Sequence, residues 1–287
     1  MSLIKTAAQL EERLARADRN NRSLGFVPTM GYLHEGHLSL IRRARAENDL
    51  VVVSVFVNPT QFAPGEDFES YPRDIERDCG LAIQAGADLV FHPPAEEIYP
   101  SGSSTAVEVT GDMTRKLCGA SRPTHFRGVT TVVSILLNIV RPDRVYFGQK
   151  DAQQAVLIKK MVRDLHMPVT VVVCPIMREA DGLAMSSRNV FLTPQERKSA
   201  AVLNRALQKA EDALRSGLQG GGVSMLEAVI RDEIGTEKQA NIDYVQILDG
   251  ETLQEISRIV PGRKALAAVA VKFGKTRLID NRMLSVE

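Results

Sequence analysis

Leu24-Gly25-Phe26-Val27-Pro28-Thr29-Met30-Gly31-Tyr32-Leu33-His34-Glu35-Gly36-His37 is the stretch on which the reading of this 287-residue chain turns. Leu24 to Val27 is continuously apolar or small, as in a short strand buried on both faces, and Pro28 stops it. A loop through Gly31 and Gly36 then leads into a helix carrying Leu38, Ile41 and Ala44 on one stripe. The same order returns at once. Leu50 to Val57 is a β-branched run, Asp74 to Ala85 has a helical pattern ended by Gly86, and Asp88 to His92 is a further strand. Consecutive strand-helix units predict a parallel sheet, with ligands beyond the carboxyl ends of its strands.

On the amino-terminal side of this stretch, Thr6-Ala7-Ala8-Gln9 is a capping box for an opening helix that carries Leu10, Leu14 and Ala17. Beyond the Pro-, Gly- and Ser-rich connection at Pro93 to Ser104, a helix from Gly128 to Ile139, a strand from Arg144 to Phe147, a helix from Asp151 to Leu165 and a strand from Val169 to Ile176 continue the alternation. The texture then changes. Thr193-Pro194-Gln195-Glu196 caps a long helix toward Ser216, Gly220-Gly221-Gly222 resembles a hinge, and Ser224 to Glu227 caps another helix. Ile242 to Leu248 and Ala265 to Ile279 read as strands, the latter broken into a hairpin at Gly274-Lys275. The expected fold class is α/β, a Rossmann-like open parallel sheet over 1–176, followed by a smaller α+β domain over 177–287.

Composition narrows the function classes. At 44% hydrophobic and 25% charged residues the chain is globular, and 36 Lys plus Arg against 35 Asp plus Glu leave a net charge of +1. No global field draws nucleic acid or an anionic membrane, so any anion must be bound locally. The long apolar runs, Val51 to Val57, Val132 to Val140 and Ala265 to Val271, are well short of the roughly 18 residues a membrane span needs. Residues 1–21 mix charges through their apolar positions, unlike a signal peptide. Cys79, Cys118 and Cys174 make neither a disulfide framework nor a C-x-x-C site, and read as core fillers in a cytoplasmic protein.

Four clusters carry candidate chemistry. In the loop from Pro28 to His37, free N–H groups at a helix start, small glycines and two imidazoles suit a phosphate chain. A zinc pair is the alternative, but His34-Glu35-Gly36-His37 lacks the i, i+4 spacing of H-E-x-x-H. Gly148-Gln149-Lys150-Asp151 follows the Arg144 to Phe147 strand, where Lys150 could meet phosphate and Asp151 a ribose hydroxyl. Met185-Ser186-Ser187-Arg188-Asn189 offers hydroxyls and a guanidinium, or else a solvated interdomain linker. Asn58-Pro59-Thr60-Gln61-Phe62 ends the most hydrophobic strand, so its amides are expected at the rim, where Gln61 and Gln154 would orient a carboxylate without neutralising it. His125 and Arg122 precede the next helix and are placed to contribute.

In this order, H-x-G-H, Asn-Pro-Thr-Gln-Phe, Gly-Gln-Lys-Asp and Met-Ser-Ser-Arg-Asn closely resemble the pantoate–β-alanine ligase family, as do Tyr71-Pro72-Arg73, Pro123-Thr124-His125-Phe126 and Arg141-Pro142-Asp143-Arg144-Val145. The H-x-G-H and Met-Ser-Ser-Arg segments alone would indicate only the wider adenylyl-transferring superfamily. The resemblance implies that pantoate and β-alanine are joined at the expense of ATP, giving pantothenate, AMP and pyrophosphate through a pantoyl adenylate. It implies ATP contacts at Met30, His34, His37, Gly148, Lys150, Asp151, Met177, Met185, Ser186, Ser187 and Arg188, with His37, His34 and Lys150 catalytic and His37 the usual proton donor. It places pantoate at Gln61 and Gln154, the amine near Gln61 and Asn58, and His125 in the substrate site. Mg2+ would bridge the terminal phosphates, with Asp78 rather than its neighbour Arg77 as the matching acid. It also implies a homodimer, and a smaller domain that closes as a lid hinged at 178–188. Family members often carry Glu where Gln149 stands. Competing readings are a nucleotidyltransferase that keeps the nucleotide on its product, and a nucleotide sensor, which has no use for rim amides.

Overall fold

The computed structural model describes residues 3–216 and 222–286. In chain order its elements are β1 (Leu3–Ile4), α1 (Ala7–Arg16), β2 (Leu24–Thr29), α2 (Glu35–Glu47), β3 (Leu50–Val55), α3 (Ile75–Gln84), β4 (Leu89–Phe91), α4 (Ala95–Ile98), α5 (Cys118–Ser121), α6 (His125–Val140), β5 (Arg144–Gly148), α7 (Ala152–Asp164) and β6 (Thr170–Cys174), then α8 (Pro194–Ala200), α9 (Val202–Arg215), α10 (Gly222–Gly235), β7 (Ala240–Asp249), β8 (Lys264–Phe273) and β9 (Thr276–Ser285).

Two compact units divide the chain. The first holds 1–110, 122–148 and 157–175, and the second holds 111–121, 149–156 and 176–287. A single boundary after residue 176 therefore misses two segments that pack with the second unit. The reason is side-chain burial: Leu117 joins Leu248, Leu253, Leu266 and Ala268 in one apolar cluster, against which Ala152 and Val156 also pack.

In the first unit the sheet order is β1-β4-β3-β2-β5-β6, parallel throughout, as the alternating pattern predicts. The chain runs outward from β2 through β3 to β4, then returns to the other side of β2 with β5 and β6. The topological switch point thus lies between β2 and β5, where open α/β sheets bind ligands. Pairing there is incomplete: β2 matches β3 from Leu24–Leu50 to Thr29–Val55, but meets β5 only at Gly25–Arg144 and Phe26–Val145. Pro28 has no N–H for a ladder, so the unpaired carboxyl half of β2 is where a proline fits within a central strand. Val27, Val51, Val53 and Val90 pack against Leu40, Ile41 and Ala44 of α2 and Cys79 and Ala82 of α3.

In the second unit β7, β8 and β9 form an antiparallel sheet in that order. Leu203, Ala206, Leu207 and Ala210 of α9 and Leu226, Ile230 and Ile234 of α10 cover the face bearing Val245, Val269 and Val271. The helix expected from Thr193 toward Ser216 is two helices meeting at Ala201, with the Thr193–Glu196 capping box on the first. Strand β3 ends at Val55 rather than Val57, and α10 starts at Gly222, ahead of the cap expected at Ser224. Gly220 and Gly221 lie outside the described residues. At the opening helix Thr6 accepts from Gln9 N as expected, while the Gln9 side chain accepts from Lys5 N instead of closing the box. No helix among the described residues is long and apolar enough to cross a membrane.

Candidate active site

The sequence-predicted residues fall into one group in each unit. In the first, Gly31 has φ +86° and Tyr32 φ +49°, so the chain turns sharply between the end of β2 and the start of α2. Asp78 of α3, 1% exposed, holds this turn: Tyr32 N donates to one carboxylate oxygen at 2.6 Å and Leu33 N to the other at 2.7 Å. A Cβ on Gly31 would lie 2.9 Å from the same carboxylate and from Val55, so both the sign of φ and the space require glycine. Burial pushes the Asp78 carboxyl up, against the pull of the two backbone donors and Arg77.

Each Asp78 oxygen accepts a backbone N–H of the loop, a structural duty in addition to the metal role that the resemblance implies. Among the described residues no group of three or more His, Cys, Asp or Glu side chains could hold an ion. Asp78 is a template for the loop.

The turn delivers His34 to the N-cap of α2. His34 Nδ1 accepts from Gly36 N at 3.1 Å, and His37 Nδ1 accepts from His34 N at 3.3 Å, with the ring centroids 4.1 Å apart. Reciprocal capping uses Nδ1 of both rings as acceptors. In the neutral imidazoles the proton therefore stands on Nε2, which makes both histidines donors at a helix N-terminus.

The Asn58–Gln61 turn corrects an expectation. Asn58 is 1% exposed, with every amide atom engaged: Nδ2 donates to Gln61 Oε1 at 3.0 Å and to Gly128 O at 3.2 Å, while Oδ1 accepts from Tyr99 and Thr60 hydroxyls. It supports the rim rather than lining it, because α6 passes close enough that a Cβ on Gly128 would sit 2.4 Å from Thr60 O. Gln61 Nε2 donates to Met30 Sδ at 3.1 Å, which joins this turn to the histidine loop. A ring nitrogen of His125 lies 2.9 Å from Gln61 O, and Arg122 donates to the same carbonyl while paired to Glu66. Both therefore hold the Gln61 backbone, and the contact found for His125 is structural. Burial raises Glu66, but the Arg122 hydrogen bond and charge outweigh it and leave the carboxyl below its ordinary value. Tyr99 gave no signal in the sequence, since a lone tyrosine after Glu-Glu-Ile has no motif.

In the second unit Asn281, 3% exposed on β9, donates from Nδ2 to both Gln149 O and Lys150 O at 2.9 Å. This fixes the backbone that carries Lys150 and Asp151, and Gln149 Nε2 donates in turn to Asn281 Oδ1 at 3.3 Å. Lys150 and Gln154 are half-buried and Asp151 is exposed. Segment 178–188 is tied into the second unit. Arg178 makes a two-pronged pair with buried Asp280 at 2.6 and 2.9 Å, Arg197 ties Glu179 and Asp181, and Met185 N donates to Met177 O. Ser186 caps the short turn that follows by accepting from Arg188 N, and Ser187 is buried. Asn281 and Asp280, on a strand far along the chain, could not be matched to these loops by spacing alone. The three cysteines are free and buried: Cys79 and Cys174 fill the apolar core of the first unit, whereas the Cys118 sulfur lies against the Tyr244 hydroxyl and the Arg277 guanidinium.

Residues 2–283 match the family model described as Pantoate-beta-alanine ligase. The chain belongs to that family. Among curated relatives, the pantothenate synthetase of Acetivibrio thermocellus is 54% identical over 286 residues, covering 100% of both chains, and that of Moorella thermoacetica is 55% identical over 100% of this chain and 99% of its own. The crystal structure of pantothenate synthetase from Thermus thermophilus superposes with a TM-score of 0.92 at 48% identity over 100% of both chains. That of the pantoate-beta-alanine ligase from Francisella tularensis, complexed with beta-gamma ATP and beta-alanine, has a TM-score of 0.78 at 34% identity, covering 99% of this chain and 97% of that one. As a member of the pantoate–β-alanine ligase family the chain is a ligase that forms pantothenate.

Proposed function

We propose that the chain makes pantothenate in two steps, using MgATP as substrate and a pantoyl adenylate as the intermediate. In the first step a pantoate carboxylate oxygen attacks the α-phosphorus, the bond from that phosphorus to the bridging oxygen breaks, and pyrophosphate leaves. In the second the β-alanine nitrogen attacks the acyl carbon, the bond to AMP breaks, and the amine gives up a proton. No covalent enzyme intermediate is needed.

The observation that carries this reading is the reciprocal capping of His34 and His37, which fixes two Nε2–H donors at the N-terminus of α2, beside the switch point. Donors set before the reaction stabilise charge growing on phosphate oxygens without reorganising. In this reading His34 and His37 meet the phosphates, the proton-donor role of His37 is that of a hydrogen bond from Nε2–H to the phosphate oxygens, and Lys150 adds a cation. Met30, Gly148, Asp151, Met177, Met185, Ser186, Ser187 and Arg188 complete the ATP contacts. A Cβ on Gly148 would meet nothing within 4 Å, so the end of β5 leaves room for a bulky ligand. Gln61 and Gln154 orient the pantoate carboxylate by neutral amides, which hold it without quenching its nucleophilicity. Mg2+ arrives on the nucleotide as part of the substrate, in keeping with its preference for phosphate oxygens and water.

Because an acyl adenylate is destroyed by water, we assign the second unit the role of lid, and we place the enzyme in the cytoplasm as a homodimer, where three buried free thiols stay reduced.

Isotope exchange between pyrophosphate and ATP tests the scheme, with pantoate and Mg2+ present and β-alanine absent. Pantoate-dependent exchange is expected. AMP released only when both acids are present, with no exchange, would mean a concerted or amine-gated reaction, and ADP as product would overturn the adenylate altogether.

A further inference from the structure

We infer that Tyr99 is a positioning residue for the acid substrate, acting through Asn58 to keep the Gln61 amide N–H groups, and not its oxygen, turned toward the substrate. The inference rests on the assignment of Gln61 to pantoate.

The direction of each bond follows from what each atom can do. Gly128 O accepts only, so the Asn58 group 3.2 Å from it must be the NH2. That leaves Asn58 Oδ1 facing the Tyr99 hydroxyl, which donates to it at 2.7 Å, and the Thr60 hydroxyl, whose one proton is shared between Asn58 Oδ1 at 3.0 Å and the Tyr99 oxygen at 3.1 Å. Asn58 Nδ2 also donates to Gln61 Oε1 at 3.0 Å, which commits that oxygen inward. Gln61, 8% exposed, is thereby left with Nε2 on the side of the histidine loop, resting on Met30 Sδ at 3.1 Å, a weak acceptor that a carboxylate or hydroxyl oxygen would replace with gain. A chain of hydrogen bonds aligned in this way polarises each member. Tyr99 closes it at the far end, with its ring 6.3 Å from that of Phe56 and its hydroxyl pushed up by burial, so it stays a donor. The geometry therefore selects acceptor groups on the acid.

Tyr99→Phe removes one hydroxyl and keeps the ring, and Thr60 still donates to Asn58, so the fold survives. Steady-state kinetics are expected to show the KM for pantoate raised roughly five- to tenfold, the size of one weakened hydrogen bond, with kcat and the KM for MgATP within about twofold. In an Asn58→Ala background the same change should add nothing further, because the path is already cut. Gln61→Ala separates the two ideas. If Gln61→Ala raises the pantoate KM and Tyr99→Phe leaves it unchanged, or shifts the KM values for pantoate and MgATP alike, the positioning role is wrong and the Gln61 assignment stands. If Gln61→Ala leaves the pantoate KM unchanged, the assignment itself fails, and Tyr99 with it.

Discussion

Replacing Asp78 by Asn gives the sharpest measure of what holds the histidine loop. The carboxylate accepts from Tyr32 N at 2.6 Å and Leu33 N at 2.7 Å in a site that is 1% exposed. An amide of the same shape offers one acceptor and turns two hydrogens toward the other backbone N–H. The loss is one charge-assisted hydrogen bond and one stranded buried donor, together about 3–4 kcal/mol, of which the relief of burying a neutral group returns about 1–2. The net expectation is a destabilisation of about 2 kcal/mol, and roughly twice that for Asp78→Ala, where both donors are stranded. The Tyr32 φ of +49° adds to the effect, because a non-glycine residue in the left-handed region persists only while its surroundings impose it. Urea denaturation of the wild type and both variants, followed by a probe in the first unit, measures the loss. Kinetics should show a raised KM for MgATP with the pantoate KM little changed, since the loop carries His34 and His37 while Gln61 is held from α6. An Asp78→Asn protein within about 0.5 kcal/mol of wild type would refute the template role. Normal stability combined with activity restored by excess Mg2+ would leave Asp78 to the metal alone.

Gly128→Ala should cost about 1–3 kcal/mol and raise the pantoate KM, because the new Cβ would press on the backbone at Thr60 O (2.4 Å) and Gln61 N (2.7 Å), which cannot swing aside; unaltered kinetics and thermal midpoint would mean that α6 and the turn are loosely coupled. Glu66 supplies a pH test. Its folded-state carboxyl lies below the ordinary value of 4.5, so its stabilising contribution is present above that value and is lost as pH falls through the lower folded one. The stability gap between wild type and Glu66→Gln, from urea midpoints, should therefore shrink between about pH 6 and about pH 3; a gap that widens on acidification would contradict the pairing with Arg122.

The elements and their order were legible in the chain alone, because burial patterns of period 2 and 3.6, with proline and glycine at the boundaries, act locally. The parallel sheet over β2 to β6, the antiparallel hairpin broken at Gly274-Lys275 and the histidine pair at a helix start could all be read in this way. Motif order also placed the chain in its family. The roles of individual side chains were not legible, since they depend on which atoms meet across the fold. Asn58 reads as a rim amide in the sequence, but Gly128 of α6 and Tyr99 after α4 use up its donors and acceptors, and nothing in the spacing of Asp78 shows that its oxygens hold the backbone of Tyr32 and Leu33. Asn281 and Asp280 lie about a hundred residues or more from the loops they fix. Whether a buried polar group serves the ligand or the scaffold is decided by the partners that satisfy it, and the folded chain alone brings those partners together.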